Sequence, residues 1–327
     1  MNFDLTFSPI PYTMKEQKGI AMERLFTYTI SPADAGKTIE AFLREQGYSH
    51  RLLVSLKRSE DGICLNGKRI FTNYRLSENE RLDICLREDV SSPNILPVPV
   101  PFSIVYEDED LLIINKPADT PVHPSLGNYD NTLANGLADY FLRKNEPLIY
   151  RCINRLDRDT TGLLLVARHG LSAAVLSDQM TRRCIYRTYH ALVEGIVPPE
   201  GTIDLPIGRK SDSLIERCID PEHGETAITH FRTLRQCGTF SYVELHLETG
   251  RTHQIRVHMA AIGHPLIGDT LYNPDGIPGM KRQALHSYSL EFSHPITKEA
   301  MRFTAPLPDD MQSFLNQTAL IRGTSSI

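Results

Sequence analysis

The chain has no long hydrophobic run. Its longest apolar stretches, such as Leu163 to Ala167, are far too short to cross a bilayer, so no membrane partner is expected. It has no CxxC pair. The six cysteines, Cys64, Cys85, Cys152, Cys184, Cys218 and Cys237, are too scattered for a zinc ribbon or a thioredoxin-like redox motif. No signal-peptide pattern is present, so the thiols are expected reduced and the protein cytoplasmic. It has no excess of positive charge either. Lys and Arg number 35 against 40 Asp and Glu, a net charge of -5, so a nucleic-acid partner would have to be held by local patches. What remains is an ordinary globular composition, 41% hydrophobic and 23% charged over 327 residues. That length suits about two domains.

Residues 1–21 show no helical or strand periodicity and contain Pro9 and Pro11. Lys18-Gly19 can be encoded by a ribosome-binding sequence a short distance upstream of Met22. Either translation starts at Met22, or the extension is a genuine disordered tail. Residues 22–88 form a small unit. Arg24 to Ile30 reads as a strand, and Ala35 to Gln46 as a helix with Ile39, Phe42 and Leu43 on one face. A second helix covers about His50 to Arg58. Asn66-Gly67 then stands between two short strand candidates, a strong hairpin signal, and Arg81 to Leu86 closes the unit. From Arg44 to Arg69 six basic residues face three acidic ones, a set whose plainest reading is a solvated surface.

Residues 89–102 carry Pro93, Pro97, Pro99 and Pro101, which force an extended, donor-poor linker. Residues 103–317 make a larger domain. Its expected helices are Thr132 to Arg143, Leu171 to Thr181 and Thr252 to Ile262. Its expected strands include Ser103 to Tyr106, Leu111 to Asn115, Leu163 to Arg168, Arg187 to Glu194, Thr229 to Leu234, Tyr242 to Glu248 and Ser287 to Phe292. The mixture lacks strict βαβ alternation and argues an α+β fold. Residues 318–327 are expected to be a frayed tail.

Three segments hold polar groups that a plain core would not need. Asn154 to Gly162 places Asp157 between Arg155 and Arg158, directly before the buried run. Flanking arginines keep such a carboxylate ionised, which suits a nucleophile better than a proton donor; a turn aspartate that caps backbone amides is the bland alternative. Arg182 to Leu192 interleaves Tyr186 and Tyr189 with basic residues. Between Arg151 and Arg187 seven arginines stand against three acids, as a stacking, phosphate-neutralising surface requires; a strand with its tyrosine rings in the core and its arginines outside fits equally. The third segment, Thr249 to His258 continuing to Asp269, offers His253, His258, His264 and Asp269. A zinc helix would space its histidines four apart around a glutamate, and His253 and His258 are five apart, so no metal is expected.

These segments match a known family. Asn154-Arg155-Leu156-Asp157-Arg158-Asp159-Thr160-Thr161-Gly162 resembles the signature of the RluA/RluD-type RNA pseudouridine synthases. Arg187 to Gly195 looks like their tyrosine motif, and Gly250 to Asp269 like their third motif. Shorter matches are Asn115-Lys116-Pro117, Val122-His123-Pro124, Pro206 to Arg209, Arg282 to His286 and Ala305 to Pro308. Residues 25–88 are similar to the alpha-L RNA-binding domain that often precedes this catalytic domain. Two departures stand out: Asn154 where the family has histidine, and Thr161 where it has serine.

The resemblance implies a pseudouridine-synthase fold, with a mixed, largely antiparallel central sheet flanked by helices. It implies isomerisation of uridine to pseudouridine with no cofactor, on an RNA that is more often ribosomal than transfer RNA when an alpha-L domain is present. Asp157 would act at the ribose or the base, Tyr189 would lie under the flipped base, and Arg256 would hold Asp157. Arg155, Arg158, Arg187, Arg251 and His253 would bind RNA, as would Arg51, Lys57 and Arg58 of the small domain. Leu192, Ile255, Thr160 and Gly162 would shape the pocket. A monomer is the default. Two other readings are a non-catalytic RNA-binding or ribosome-assembly factor and a metal hydrolase built on the histidines.

Overall fold

The computed structural model describes residues 22–213 and 215–323, with side chains as far as Asn316. The expected extension, 1–21, lies outside the described residues. So do residues 324–327.

The N-terminal unit is built from β1 (Met22–Thr29), α1 (Ile39–Glu45), α2 (His50–Arg58), β2 (Ile63–Leu65), β3 (Lys68–Arg69) and β4 (Arg81–Glu88). Its four strands pair antiparallel in the order β1-β4-β2-β3. Each helix starts where the sequence supplies a cap. The Thr38 hydroxyl accepts from Ala41 N, and the Ser49 hydroxyl from Leu52 N. Asn66 and Gly67 take φ of 49° and 78°, as a two-residue hairpin turn requires. Ile39, Phe42, Leu43, Leu53 and Leu56 pack on Leu82 and Ile84, and Leu171, Val175 and Ile296 of the larger domain join this cluster.

Polar contacts fasten the two parts. Arg24 reaches Asp110 at 3.0 and 3.2 Å and Glu109 at 2.8 Å. Glu88 takes both Nη atoms of Arg151, at 2.8 and 2.9 Å. It also accepts from Gly170 N at 3.2 Å. Residues 89–102 form no helix or strand and are strapped to the larger domain, with Val98 N on Asn135 O at 3.2 Å.

The larger domain begins with β5 (Ser103–Glu107), β6 (Leu111–Lys116), α3 (Leu133–Arg143), β7 (Thr161–Ala167), α4 (Gly170–Thr181) and β8 (Tyr186–Glu194). There follow β9 (Glu200–Asp204), β10 (Ile207–Arg209), β11 (Arg217–Ile219), β12 (Ile228–Gln236) and β13 (Phe240–Leu247). Last come α5 (Gln254–Ala261), β14 (Leu285–Ser293), β15 (Ala300–Thr304) and α6 (Asp309–Gly323). The main sheet runs β5-β6-β7-β14-β8-β13-β12-β9, with β15 on β14. Only β7 and β14 pair parallel, so the sheet is mixed and largely antiparallel.

β7 is buried along its whole length, which is why its sequence is apolar without alternation. Leu164 and Val166 share one core with Leu133, Leu137 and Phe141 of α3 and Ile255 and Met259 of α5. Leu163, Leu165 and Ala167 face the other way, with Leu176 of α4. Gly162 sits at φ 107°, and a Cβ there would lie 2.2 Å from Ser287 O. Glycine is therefore needed for the parallel contact with β14.

Four short or polar features escape the periodicity arguments: β9, the β10–β11 hairpin, β15 and α6. The three-residue strands of the hairpin are too brief to show alternation. α6 is signalled only by Pro308 followed by two acids in its first turn. It runs to Gly323, so the expected frayed tail, 318–327, is helical as far as residue 323.

Candidate active site

The segment before β7 is held open by short-range bonds. Thr160 N donates to Asp157 O at 3.1 Å, making a turn that lifts the Asp157 side chain out of the core. Asn154 is buried. Its Oδ1 accepts from Leu165 N at 2.8 Å, so it pins this segment to the middle of β7. That is a structural task an amide performs with one acceptor and needs no imidazole. Lys116, at the end of β6, supports the same loop from beneath. Its Nζ donates to the carbonyls of Pro117, Thr120 and Arg158 at 2.7, 2.9 and 2.7 Å. Burial pushes its pKa down to about 7, while three carbonyls match the three donors of an ammonium.

Asp157 opens into a groove of about 730 Å3. Its carboxylate is 25% exposed and receives Arg256 Nη1 at 3.1 Å. Arg256, on α5, is 8% exposed and is clamped from behind. Its Nε and Nη2 donate to the two oxygens of Asp269 at 2.7 and 2.8 Å, and Asp269 is wholly buried. Burial works against the Arg256 charge, but the bonds to Asp269 and the field of Asp157 outweigh it and raise the pKa. The guanidinium also lies 5.1 Å from the centre of the Tyr272 ring. The result is a permanent cation set against one oxygen of a half-open carboxylate.

Tyr189, on β8, lines the same groove. Burial raises its pKa, so at neutral pH it offers a ring face and a hydroxyl proton rather than a phenolate. Arg155 and Arg158 are exposed at the mouth. Arg155 makes no ion pair among the described residues, whereas Arg158 is turned to Asp159 at 3.1 Å and Asp119 at 3.6 Å. Arg187 lines the groove with Nη2 at 3.4 Å from Thr249 O, and its buried Nε has no partner among the described residues. Arg251 lies on the rim and is tied to Glu225 and to Thr226 O. His253 also lines it, with Nε2 3.9 Å from Asp157 Oδ2. Thr160 and Ile255 complete the wall.

Some expected site residues lie elsewhere. Leu192 is an odd number of residues from Tyr189 on a strand, so it points to the opposite face, into a cluster with Phe240, Ile267, Ala284, Met311 and Leu315. Gly162 serves the β7–β14 contact and does not line the groove. Arg51, Lys57 and Arg58 are exposed on α2, outside the groove, and Lys57 pairs with Glu40 at 2.8 Å. Conversely, Asp269 and Tyr272 contact Arg256, and Lys116 supports the Asp157 loop, but none of the three was among the expected site residues. Asp269 is visible in the sequence only as a metal-ligand candidate and as one end of a matching motif.

The histidines of the third segment diverge. His258 bonds Thr229 Oγ1 and Leu205 O, both at 2.9 Å, and His264 bonds Glu194 O at 2.8 Å. Among the described residues, Asp108, Asp110 and His294 are close enough to share a cation. Their oxygens already accept from Arg24, His169, Tyr106 and the Leu111 backbone.

A model of the RNA pseudouridylate synthase family matches residues 110–261, which include Asp157, Tyr189 and Arg256. The chain is 42% identical over 279 residues to the uncharacterized RNA pseudouridine synthase YjbO of Bacillus subtilis (strain 168), covering 85% of this chain and 98% of that one. This chain belongs to the RNA pseudouridine synthase family. As such it is an isomerase. The synthase is also 35% identical over 305 residues to the ribosomal large subunit pseudouridine synthase D of Neisseria meningitidis serogroup A, covering 89% of this chain and 81% of that one. Among solved structures, human RNA pseudouridylate synthase domain containing 1 superposes with a TM-score of 0.52 at 27% identity, over 67% of this chain and 95% of the other. Domain containing 4 superposes with a TM-score of 0.55 at 22% identity, over 66% of this chain and 93% of that one, and shares the fold.

Proposed function

We propose that this synthase isomerises uridines in large-subunit ribosomal RNA, in the cytoplasm and as a monomer. Support for the RNA class comes from the similarity to large-subunit enzymes and from the small N-terminal unit with its alpha-L-like arrangement. The target nucleotide leaves the stack, at a cost of a few kcal/mol, and enters the groove. The C1′–N1 bond breaks, the base turns, and C1′–C5 forms. The proton lost from C5 is balanced by one gained at N1, so no redox partner is consumed. Asp157 supplies the anionic oxygen at the reacting nucleoside. Arg256, braced by Asp269, holds that oxygen charged and oriented. Tyr189 gives the base a ring to lie on, and Arg155 fills the space left in the RNA.

The observation that carries this reading is the Asp157 carboxylate, a quarter exposed in a groove and held at 3.1 Å by a buried arginine. The experiment is pseudouridine mapping of total RNA from cells with and without the gene, with Asp157→Asn as the second arm. Loss of sites in large-subunit RNA in both arms supports the proposal. Loss confined to transfer RNA overturns the substrate class, and full modification by Asp157→Asn overturns the residue assignment.

A further inference from the structure

Behind Asp157 runs a hydrogen-bond chain with a fixed polarity. At its far end the backbone N–H of Arg217, on β11, donates to the Tyr272 hydroxyl at 2.8 Å. The amide takes one lone pair of the phenol oxygen, and among the described residues the only acceptor in reach of the phenol's own proton is Nδ1 of His253, at 2.9 Å. A neutral imidazole that accepts at Nδ1 carries its proton on Nε2. Nε2 in turn stands 3.9 Å from Asp157 Oδ2, the oxygen that Arg256 also holds.

The side chain of His253 does not serve as a cap for its helix. Its backbone lies at φ 58°, ψ 17°, in the left-handed region. A residue with a Cβ pays about 1–3 kcal/mol there, and such strain gathers at working sites. The ring faces Asp157, Asp269, Arg256 and Arg217, and burial lowers its pKa, which favours the neutral form. Asp157 Oδ1 accepts no hydrogen bond from the described residues, in contrast to Oδ2.

We propose that His253 is a positioning residue for the isomerisation: its Nε2–H, set in tautomer through Tyr272 by the β10–β11 hairpin, is the second holder of Asp157 Oδ2 and leaves Oδ1 as the oxygen presented to the nucleotide. Active-site bonds are often long in the free enzyme and shorten in the complex, so 3.9 Å is a distance from which this contact closes. The inference rests on Asp157 being the reacting carboxylate. It also ties that carboxylate to a surface hairpin about 60 residues further along the chain.

Two measurements on the full chain test it. Histidine ring nitrogens are labelled with 15N, and the His253 signals are identified by their loss in His253→Gln. The expected spectrum has the proton on Nε2 in the unaltered protein and a mixture of tautomers in Tyr272→Phe. In parallel, turnover is followed on large-subunit ribosomal RNA transcribed in vitro. Tyr272→Phe and His253→Ala are expected to lower kcat about tenfold with KM within twofold. His253→Gln, whose amide can point an N–H at Asp157, is expected to recover most of that loss. A proton on Nδ1 in the unaltered protein overturns the proposal, as does a His253→Ala enzyme with kcat within twofold of normal. RNA left unmodified by the unaltered enzyme counts against the substrate reading, and the ring spectrum then decides the tautomer assignment by itself.

Discussion

The molecule carries two sets of cations, and they are held in different ways. In the N-terminal unit, Arg51, Lys57 and Arg58 are exposed on α2, and the partner that Lys57 finds, Glu40, belongs to the neighbouring helix of the same small unit. In the groove, Arg256 is nearly sealed, and its carboxylates arrive from a loop before β7 and a turn after α5. A surface cation costs little to keep and can be moved or lost with small effect. A buried cation exists only because counter-charges were brought to it, and removing one leaves the rest uncompensated. On the proposed reading a net charge of -5 is no obstacle to RNA chemistry, because that chemistry would use a few placed charges.

The sharpest way to break that contrast is at Asp157. Asp157→Asn is expected to slow the chemical step about a thousandfold or more, measured as pseudouridine formed per enzyme, with a smaller loss of stability than a change at buried Asp269, because Asp157 is a quarter exposed and water can take its place. A stable, fully active Asp157→Asn enzyme would show the groove charges to be as dispensable as those on α2. Next comes Asp269→Asn. It leaves Arg256 buried with half its counter-charge, and a loss of about 3 kcal/mol in urea unfolding is expected together with a slower reaction. Unchanged stability would mean that water replaces the carboxylate.

Gly162→Ala probes the frame rather than the charges. The 2.2 Å approach to Ser287 O and the positive φ predict a loss of about 2 kcal/mol, read from the same unfolding curves.

The junction between the two regions should respond to acid. Asp110 is held down at about 2: burial opposes the charge, but bonds from His169 and Arg24 prevail. A depressed carboxyl contributes its stabilisation above the unfolded value near 4 and loses it as pH falls from there toward 2. Acid titration of the thermal midpoint should therefore drop through that window, and Asp110→Asn should flatten the drop. Smallest of all is Arg58→Ala. It should leave the chemical step untouched and reduce the salt-dependence slope of RNA binding by less than about 1. A large loss of turnover there would erase the distinction between the two sets.

How much of this was legible in the sequence depends on the distance over which each residue's role is decided. The Asn66-Gly67 hairpin is local, and residue type alone announces it, whereas the helix expected from Ala35 begins only at Ile39, after the Thr38 cap. The Asp157 loop is also readable, because its arginines and the apolar run it precedes are contiguous. Leu192 was assigned to the pocket by its motif, although strand alternation from Tyr189 turns it to the far face. Asp269 drew notice first as a metal-ligand candidate, since sequence spacing does not reveal that its partner is a guanidinium across a turn. Lys116 stood out only as part of a short matching segment and Tyr272 not at all: the role of one is defined by three carbonyls from two loops, that of the other by a backbone amide on a hairpin 55 positions away. The main sheet's existence followed from its apolar segments, but its order did not, because pairing between distant strands leaves no periodic trace.

That order has a consequence for biogenesis. β14 lies between β7 and β8, so the strand that follows the Asp157 loop and the strand that bears Tyr189 have no common edge until it arrives. On a translating ribosome both can emerge, and even fold locally, well before residues 285–293 leave the exit tunnel. The loop closure that finally inserts this strand spans more than a hundred residues and is correspondingly slow. The sheet that carries both the Asp157 loop and Tyr189 is therefore closed by a segment made late in the chain.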